Sequence, residues 1–133
     1  MRREPKQDTL PQCGVVTSVD QTRYRVKVYI PLLDIENDYI RVGSQYVGAG
    51  WGLYALPHVG DEVLVIFPNG DLNNGIVACR LYSEECDPAP QEGDSLTLVH
   101  ESGSILRFDK AGNVTLEAKG NLTLRGANVY INE

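Results

Sequence analysis

Apolar and polar residues take turns along most of this chain. The clearest case is Tyr24, Val26, Val28 and Ile30, interleaved with Arg25, Lys27 and Tyr29. A period of two describes a strand with one buried face and one wet face. No window places apolar residues at helical spacing over three turns. Thirteen glycines and seven prolines interrupt the pattern at short intervals, which predicts many short strands.

The first predicted strand is Gly14–Val19 and the second Tyr24–Ile30, joined as a hairpin through Asp20-Gln21-Thr22. Pro31 ends the second, because it has no N–H to give to a ladder. Residues 32–60 read as long loops around a weaker strand, Tyr39–Val42, with Gly43, Gly48, Gly50 and Gly52 permitting tight turns. Pro57-His58-Val59-Gly60-Asp61 is a turn. Glu62–Phe67 is apolar on both faces, as suits a strand in the middle of a closed barrel. Asn69-Gly70-Asp71 and Asn73-Asn74-Gly75 are turn signals, and Gly75–Tyr82 is the next strand. Five strands with long excursions predict a small barrel of the oligonucleotide/oligosaccharide-binding (OB) type. The expected organisation is an N-terminal extension over 1–12, the barrel over 13–83, an acidic proline-containing linker over 84–95, and a separate segment over 96–133.

That last segment repeats. Gly103-Ser104-Ile105, Gly112-Asn113-Val114, Gly120-Asn121-Leu122 and Gly126-Ala127-Asn128-Val129 each place a glycine turn before a small polar residue and then alternating apolar positions. The apolar pairs are Val114/Leu116, Leu122/Leu124 and Val129/Ile131. A period this short is one strand and one turn, so the unit is a β-meander or a β-helix rung. Which of residues 105–108 face inward is open, because Ile105 falls opposite Leu106 and Phe108. A lone copy leaves one face wet and repays poorly the entropy of ordering its backbone. Either three copies close into a prism with a dry interior and no free edges, or the segment folds back on the barrel.

Composition narrows the function. The 133-residue chain is 42% hydrophobic and 23% charged, too apolar for intrinsic disorder. Twelve Lys and Arg stand against eighteen Asp and Glu, a net charge of −6. Such a surface repels phosphate backbones and disfavours nucleic acid as a partner. No apolar run approaches the ~20 residues of a membrane helix, and Arg2-Arg3 are not followed by the apolar stretch of a secretory signal. Cys13, Cys79 and Cys86 form no disulfide framework; Cys79 is expected in the core and Cys86 at the surface. His58 and His100 lack metal spacing, and His58 reads as a turn residue. Asp61-Glu62 and Glu84-Glu85 read as solvated rather than as an acid/base pair. Gly48-Ala49-Gly50-Trp51-Gly52 lacks the Lys-Ser/Thr of a phosphate loop. Catalytic, cofactor-binding and metal-ligating residues are therefore all expected to be absent. Tyr46, Trp51 and Tyr54 are candidate docking residues for a partner, or Trp51 covers the barrel end.

Taken in order, Pro57–Phe67, Asn69-Gly70-Asp71 and Gly75–Tyr82 resemble the phage baseplate assembly protein V family, the central spikes of contractile tails, related to type VI secretion spikes. Gly14-Val15-Val16 and Arg25–Pro31 are similar to the opening hairpin of that family. Gly103–Asp109 with Gly112 resembles the start of its trimeric β-helical needle. Cys79 stands where the family often has glycine. The resemblance implies an all-β homotrimer, with an OB-type barrel leading into a short needle cored by Val114, Leu116, Leu122, Leu124, Val129 and Ile131. It implies a virion tail baseplate protein, made in the host cytoplasm, that plugs the tail tube and helps puncture the host envelope. Its partners would be hub and tube proteins and a separate tip protein. Some relatives carry a His-x-His iron site at the apex; no histidine follows His100 here, so a metal-bound tip is not expected. The competing reading is a monomeric OB-fold module binding single-stranded nucleic acid or a protein. A cell-wall enzyme is disfavoured, since no triad or metal cluster is present.

Overall fold

The computed structural model describes residues 10–84, 86 and 93–132. Most of the expected N-terminal extension and linker, including Glu85 and residues 87–92, lies outside the described residues. The chain forms two compact units that divide at residues 88/89. Eleven strands are present among the described residues: β1 (Gln12–Asp20), β2 (Arg25–Ile30), β3 (Ile35–Glu36), β4 (Ile40–Val42), β5 (Val47–Gly48), β6 (Trp51–Gly52), β7 (Glu62–Ile66), β8 (Ile76–Leu81), β9 (Leu96–Val99), β10 (Ile105–Phe108) and β11 (Val114–Glu117). There is no α-helix among the described residues, only two short 3-10 turns at Pro68–Gly70 and Leu72–Asn74. The all-β class is as expected.

The first unit is a closed barrel. Its strands run in the order β1-β7-β8-β4-β2, with β3 beside β2, and β1 pairs again with β2 to complete the circuit. Every neighbour is antiparallel except β4 and β8, which run parallel. With β3 set aside, this is the five-stranded Greek-key barrel of the OB type. On β2 the period-two pattern places its residues as read, with Val26, Val28 and Ile30 pointing in; on β7, read as apolar on both faces, Val63 and Val65 point in while Leu64 and Ile66 are only half-buried. Val16, Ile40, Phe67 and Val77 complete the core. Pro31 follows β2 immediately. The turn between β1 and β2 is fastened by Asp20, whose Oδ1 accepts from the N–H groups of Thr22 and Arg23 at 3.0 and 3.1 Å. His58 does sit in a turn: its N–H donates to Asp61 Oδ2 at 2.8 Å and its carbonyl accepts from Asp61 at 3.0 Å.

Two bulges break the simple alternation. Val16 pairs with Val28 but Ser18 pairs with Lys27, leaving Thr17 unopposed. Val16 points inward before the bulge and Val19 packs on the core after it, because one extra residue swaps the two faces. On β8, Val77 pairs with Val65 while Cys79 pairs with Leu64, so Ala78 is the extra residue. Cys79 consequently points outward and is exposed, correcting the expectation of a core cysteine. Cys86 is half-buried rather than exposed, its N–H donating to Ser83 Oγ at 3.1 Å.

Strand β1 makes its closest approach at Gly14. A Cβ there would lie 2.4 Å from Val28 Cγ1 and 2.8 Å from the Tyr29 carbonyl oxygen. Only glycine lets β1 pair with β7 on one side while crossing over β2 on the other.

The second unit is an antiparallel meander in the order β9-β10-β11. Its register fixes which residues share a face. Leu106 lies between Leu98 and Leu116, and Phe108 between Leu96 and Val114. These six apolar side chains occupy one face. The other carries Thr97, Val99, Ile105, Arg107, Thr115 and Glu117. The turn from β10 to β11 is held by Asp109, whose carboxylate accepts from the Asn113 N–H at 2.8 Å and from its Nδ2 at 3.0 Å. The repeats at 120–131 do not continue the ladder: they form no strand within the chain.

Two outcomes follow from this geometry. Gly14→Ala should destabilise the barrel by about 1–3 kcal/mol, since Val28 or the β2 backbone must move; urea unfolding that matches the parent protein would show that β1 has slack there. The N–H donors of Asn113, backbone first and side chain second, hold the Asp109 carboxyl below the usual aspartate range. The turn's stability is therefore full above the ordinary aspartate value and lost as pH falls through the lowered one. The Asn113 amide shift in a proton–nitrogen NMR titration should turn over below an ordinary aspartate, and a midpoint at or above it would contradict the bonding described.

Candidate functional site

The glycine-rich stretch that reads as a loop is a small hairpin. Strands β5 and β6 pair Gly48 with Trp51 and Val47 with Gly52. Gly50, in the turn, has φ +80°, a conformation glycine adopts freely. A Cβ on Gly48 would lie 2.1 Å from the Trp51 ring, so the indole rests on bare backbone. Tyr46 leans on it with ring centroids 5.0 Å apart and planes at 59°. Trp51 remains 51% exposed, and Tyr46 and Tyr54 are more exposed still. Trp51 packs on its own hairpin. Tyr54 reaches instead to Tyr24 in the β1–β2 turn, edge-on at 5.9 Å and 74°. Tyr24 holds φ +57°, unusual for a bulky residue. The three aromatic docking candidates thus divide into a Tyr46–Trp51 pair and a Tyr54–Tyr24 pair.

Between this hairpin and the barrel wall lies an open groove of about 1070 Å³. Its floor is a row across four strands. Arg25 on β2 pairs with Arg41 on β4, Arg41 with Ile76 on β8, and Ile76 with Ile66 on β7. All four point outward, because their strand neighbours Val26, Ile40, Val77 and Val65 are buried. Leu53, Tyr54 and Arg23 rise along the sides. The alternation over Tyr24–Ile30 sets Arg25 on a wet strand face, but nothing in the sequence pattern brings Arg41, Ile66 or Ile76 to it. Those join the site only through the pairing of β4 with both β2 and β8.

The second candidate surface is the apolar face of the meander. Leu96, Leu98, Val114 and Leu116 are each at least half exposed. Of the expected prism core, Val114 and Leu116 lie on this face. Leu122, Leu124, Val129 and Ile131 follow β11 and are all exposed in the single chain. Residues 120–132 lie in no strand among the described residues.

Chemistry-bearing side chains are scattered. Among the described residues no group of three or more His, Cys, Asp or Glu is placed to hold a metal ion. His100 Nδ1 sits 2.8 Å from Ser102 Oγ in the β9–β10 turn. Asp61 lies 3.6 Å from the Arg80 guanidinium, and Arg80 also donates to the Ala55 carbonyl. These contacts brace loops. No helix among the described residues is long and apolar enough to cross a membrane.

The first unit is thus a closed OB-type barrel, and the second a meander with one bare apolar face. The type VI secretion system/phage-baseplate injector OB domain matches residues 12–82, more than half of the chain, and the chain belongs to that family. Among curated relatives, the type VI secretion system spike protein VgrG1c of Pseudomonas aeruginosa is 36% identical over 74 residues, covering 56% of this chain and 10% of that protein. VgrG2a of the same organism is 43% identical over 44 residues, 33% of this chain and 5% of that protein. The actin cross-linking toxin VgrG1 of Vibrio cholerae is 34% identical over 64 residues, 44% of this chain and 6% of that protein. The chain therefore spans a tenth or less of these relatives.

Because the indole rests on Gly48, Gly48→Ala must displace it. A red shift of tryptophan emission is expected, Trp51 being the only tryptophan; an unchanged spectrum would mean that the ring is not seated there.

Proposed function

We propose that this chain is a non-enzymatic central spike or hub component of a contractile-tail baseplate, acting as a homotrimer. The observation that carries this reading is the bare apolar face of the meander. Leu96, Leu98, Leu106, Phe108, Val114 and Leu116 form two complete rows on one side of a three-stranded sheet, and most of them are exposed. An exposed apolar face of this kind marks an interface. Closed point-group symmetry lets identical faces cover one another, and three such sheets enclose a dry interior. The repeats at Leu122/Leu124 and Val129/Ile131, which lie in no strand among the described residues, then find their ladders on neighbouring copies and complete the core.

In this reading residues 13–83 are the barrel, 84–95 the linker and 96–133 the needle. The needle's work is mechanical: it plugs the tail tube and is driven into the host envelope. The barrel docks on hub and tube proteins through the surface around Tyr46, Trp51 and Tyr54, and a separate tip protein completes the point. The protein resides in the virion tail baseplate and needs neither nucleic acid nor cofactor. Support comes from membership of the injector OB family and from similarity to spike proteins.

Light scattering should give three times the 14.7 kDa chain mass, about 44 kDa, stable on dilution. Leu116→Asp should reduce this to one chain mass, because each trimer would bury three carboxylates, while the barrel keeps its circular dichroism. A parent protein at one chain mass would overturn the trimer and favour the lone OB-fold binding module. A Leu116→Asp protein still at 44 kDa would overturn the core assignment.

A further inference from the structure

The groove floor breaks a rule of sheet pairing. Arg25 and Arg41 stand directly opposite one another, and like charges in that position repel. Arg23 joins them at the rim. No carboxylate lines the groove, and no ion pair among the described residues engages any of the three arginines. This cationic cluster occurs on a protein of net charge −6. The other half of the same row is aliphatic, Ile76 and Ile66, with Leu53 beside it. Locally unfavourable arrangements of this sort collect where a ligand relieves them.

We propose that this groove binds an extended acidic–aliphatic peptide segment of a partner protein, its carboxylates on Arg25 and Arg41 and its aliphatic side chains on Ile76 and Ile66. The inference rests on the reading of the chain as an assembly component and supplies a docking site for it. Three inter-strand gaps separate the ends of the row, about 14 Å at 4.8 Å each. Four or five residues of extended chain cover that distance at about 3.3 Å per residue. The segment therefore carries its acidic residues two to four positions from its aliphatic ones. Nucleic acid fits less well. The aliphatic half offers nothing to phosphates, and Tyr24 and Tyr54 spend their rings edge-on against each other rather than as stacking platforms.

The test uses the full chain and a fluorescein-labelled octapeptide bearing two glutamates followed by a leucine and a valine. Fluorescence anisotropy should report saturable binding that weakens with salt. Replacing both glutamates by glutamine, or both aliphatics by serine, should each weaken it at least fivefold. Arg25→Gln with Arg41→Gln should weaken it at least tenfold without lowering the melting temperature, since the variant removes a repulsion. Lys119→Gln, on the second unit, should leave it unchanged. Arg41→Gln alone, at an exposed position, provides the same reading if the double variant melts early. No binding at low salt, equal binding of the serine peptide, or tighter binding of a decathymidylate would each overturn the proposal. Light scattering on the same sample separates this result from the trimer: the groove lies within one barrel, so the peptide reads it whatever the mass.

Discussion

The barrel depends on one strand serving two neighbours. From Gln12 to Val15, β1 pairs with β7; from Val15 to Asp20 it pairs with β2. Without that double service the sheet has two open edges and no enclosed core. Double service demands that β1 turn sharply while staying in contact on both sides. Gly14 permits the close approach, and the extra residue at Thr17 restores inward facing beyond it. The remaining core follows from this closure, including the unusual parallel contact of β4 with β8 that brings Arg41 beside Ile76.

The two units meet the problem of burial differently. Among the described residues every fully buried apolar side chain belongs to the barrel unit. The meander has as regular an alternation, yet its apolar side is bare. Its hydrogen-bonded turns, such as the Asp109–Asn113 clasp, fix its shape without giving it an interior. The regularity of the sheet presents the six side chains in a fixed array.

Much of this was legible in the sequence. The alternation over Tyr24–Ile30, the stop at Pro31 and the turn at Pro57–Asp61 give the barrel its strands to within a few residues. The glycine-led repeats place β10 and β11. The failures share a cause: they turn on what lies across from a residue. Cys79 looks like core until the unopposed Ala78 shifts its register. Gly48–Gly52 looks like a loop because two-residue strands leave no period to detect, and only the seat of Trp51 on Gly48 makes the hairpin. Arg25 and Arg41 are sixteen positions apart and signal nothing until pairing sets them face to face. Leu122–Ile131 alternates like a strand, but alternation alone supplies no partner, and these residues form no strand among the described residues.

The groove's charge has a kinetic side. A molecule of net charge −6 presents a negative field to anything approaching from afar, and salt confines that field to about 8 Å under physiological conditions. The arginines act only inside it. Anionic molecules are consequently not drawn in by long-range steering, which ordinarily speeds association. They are turned aside unless something else has already brought them to contact distance. An anionic segment carried on a neighbour within an assembly has that advantage, and a free polyanion does not. The groove thus discriminates by how a ligand arrives as well as by what it is.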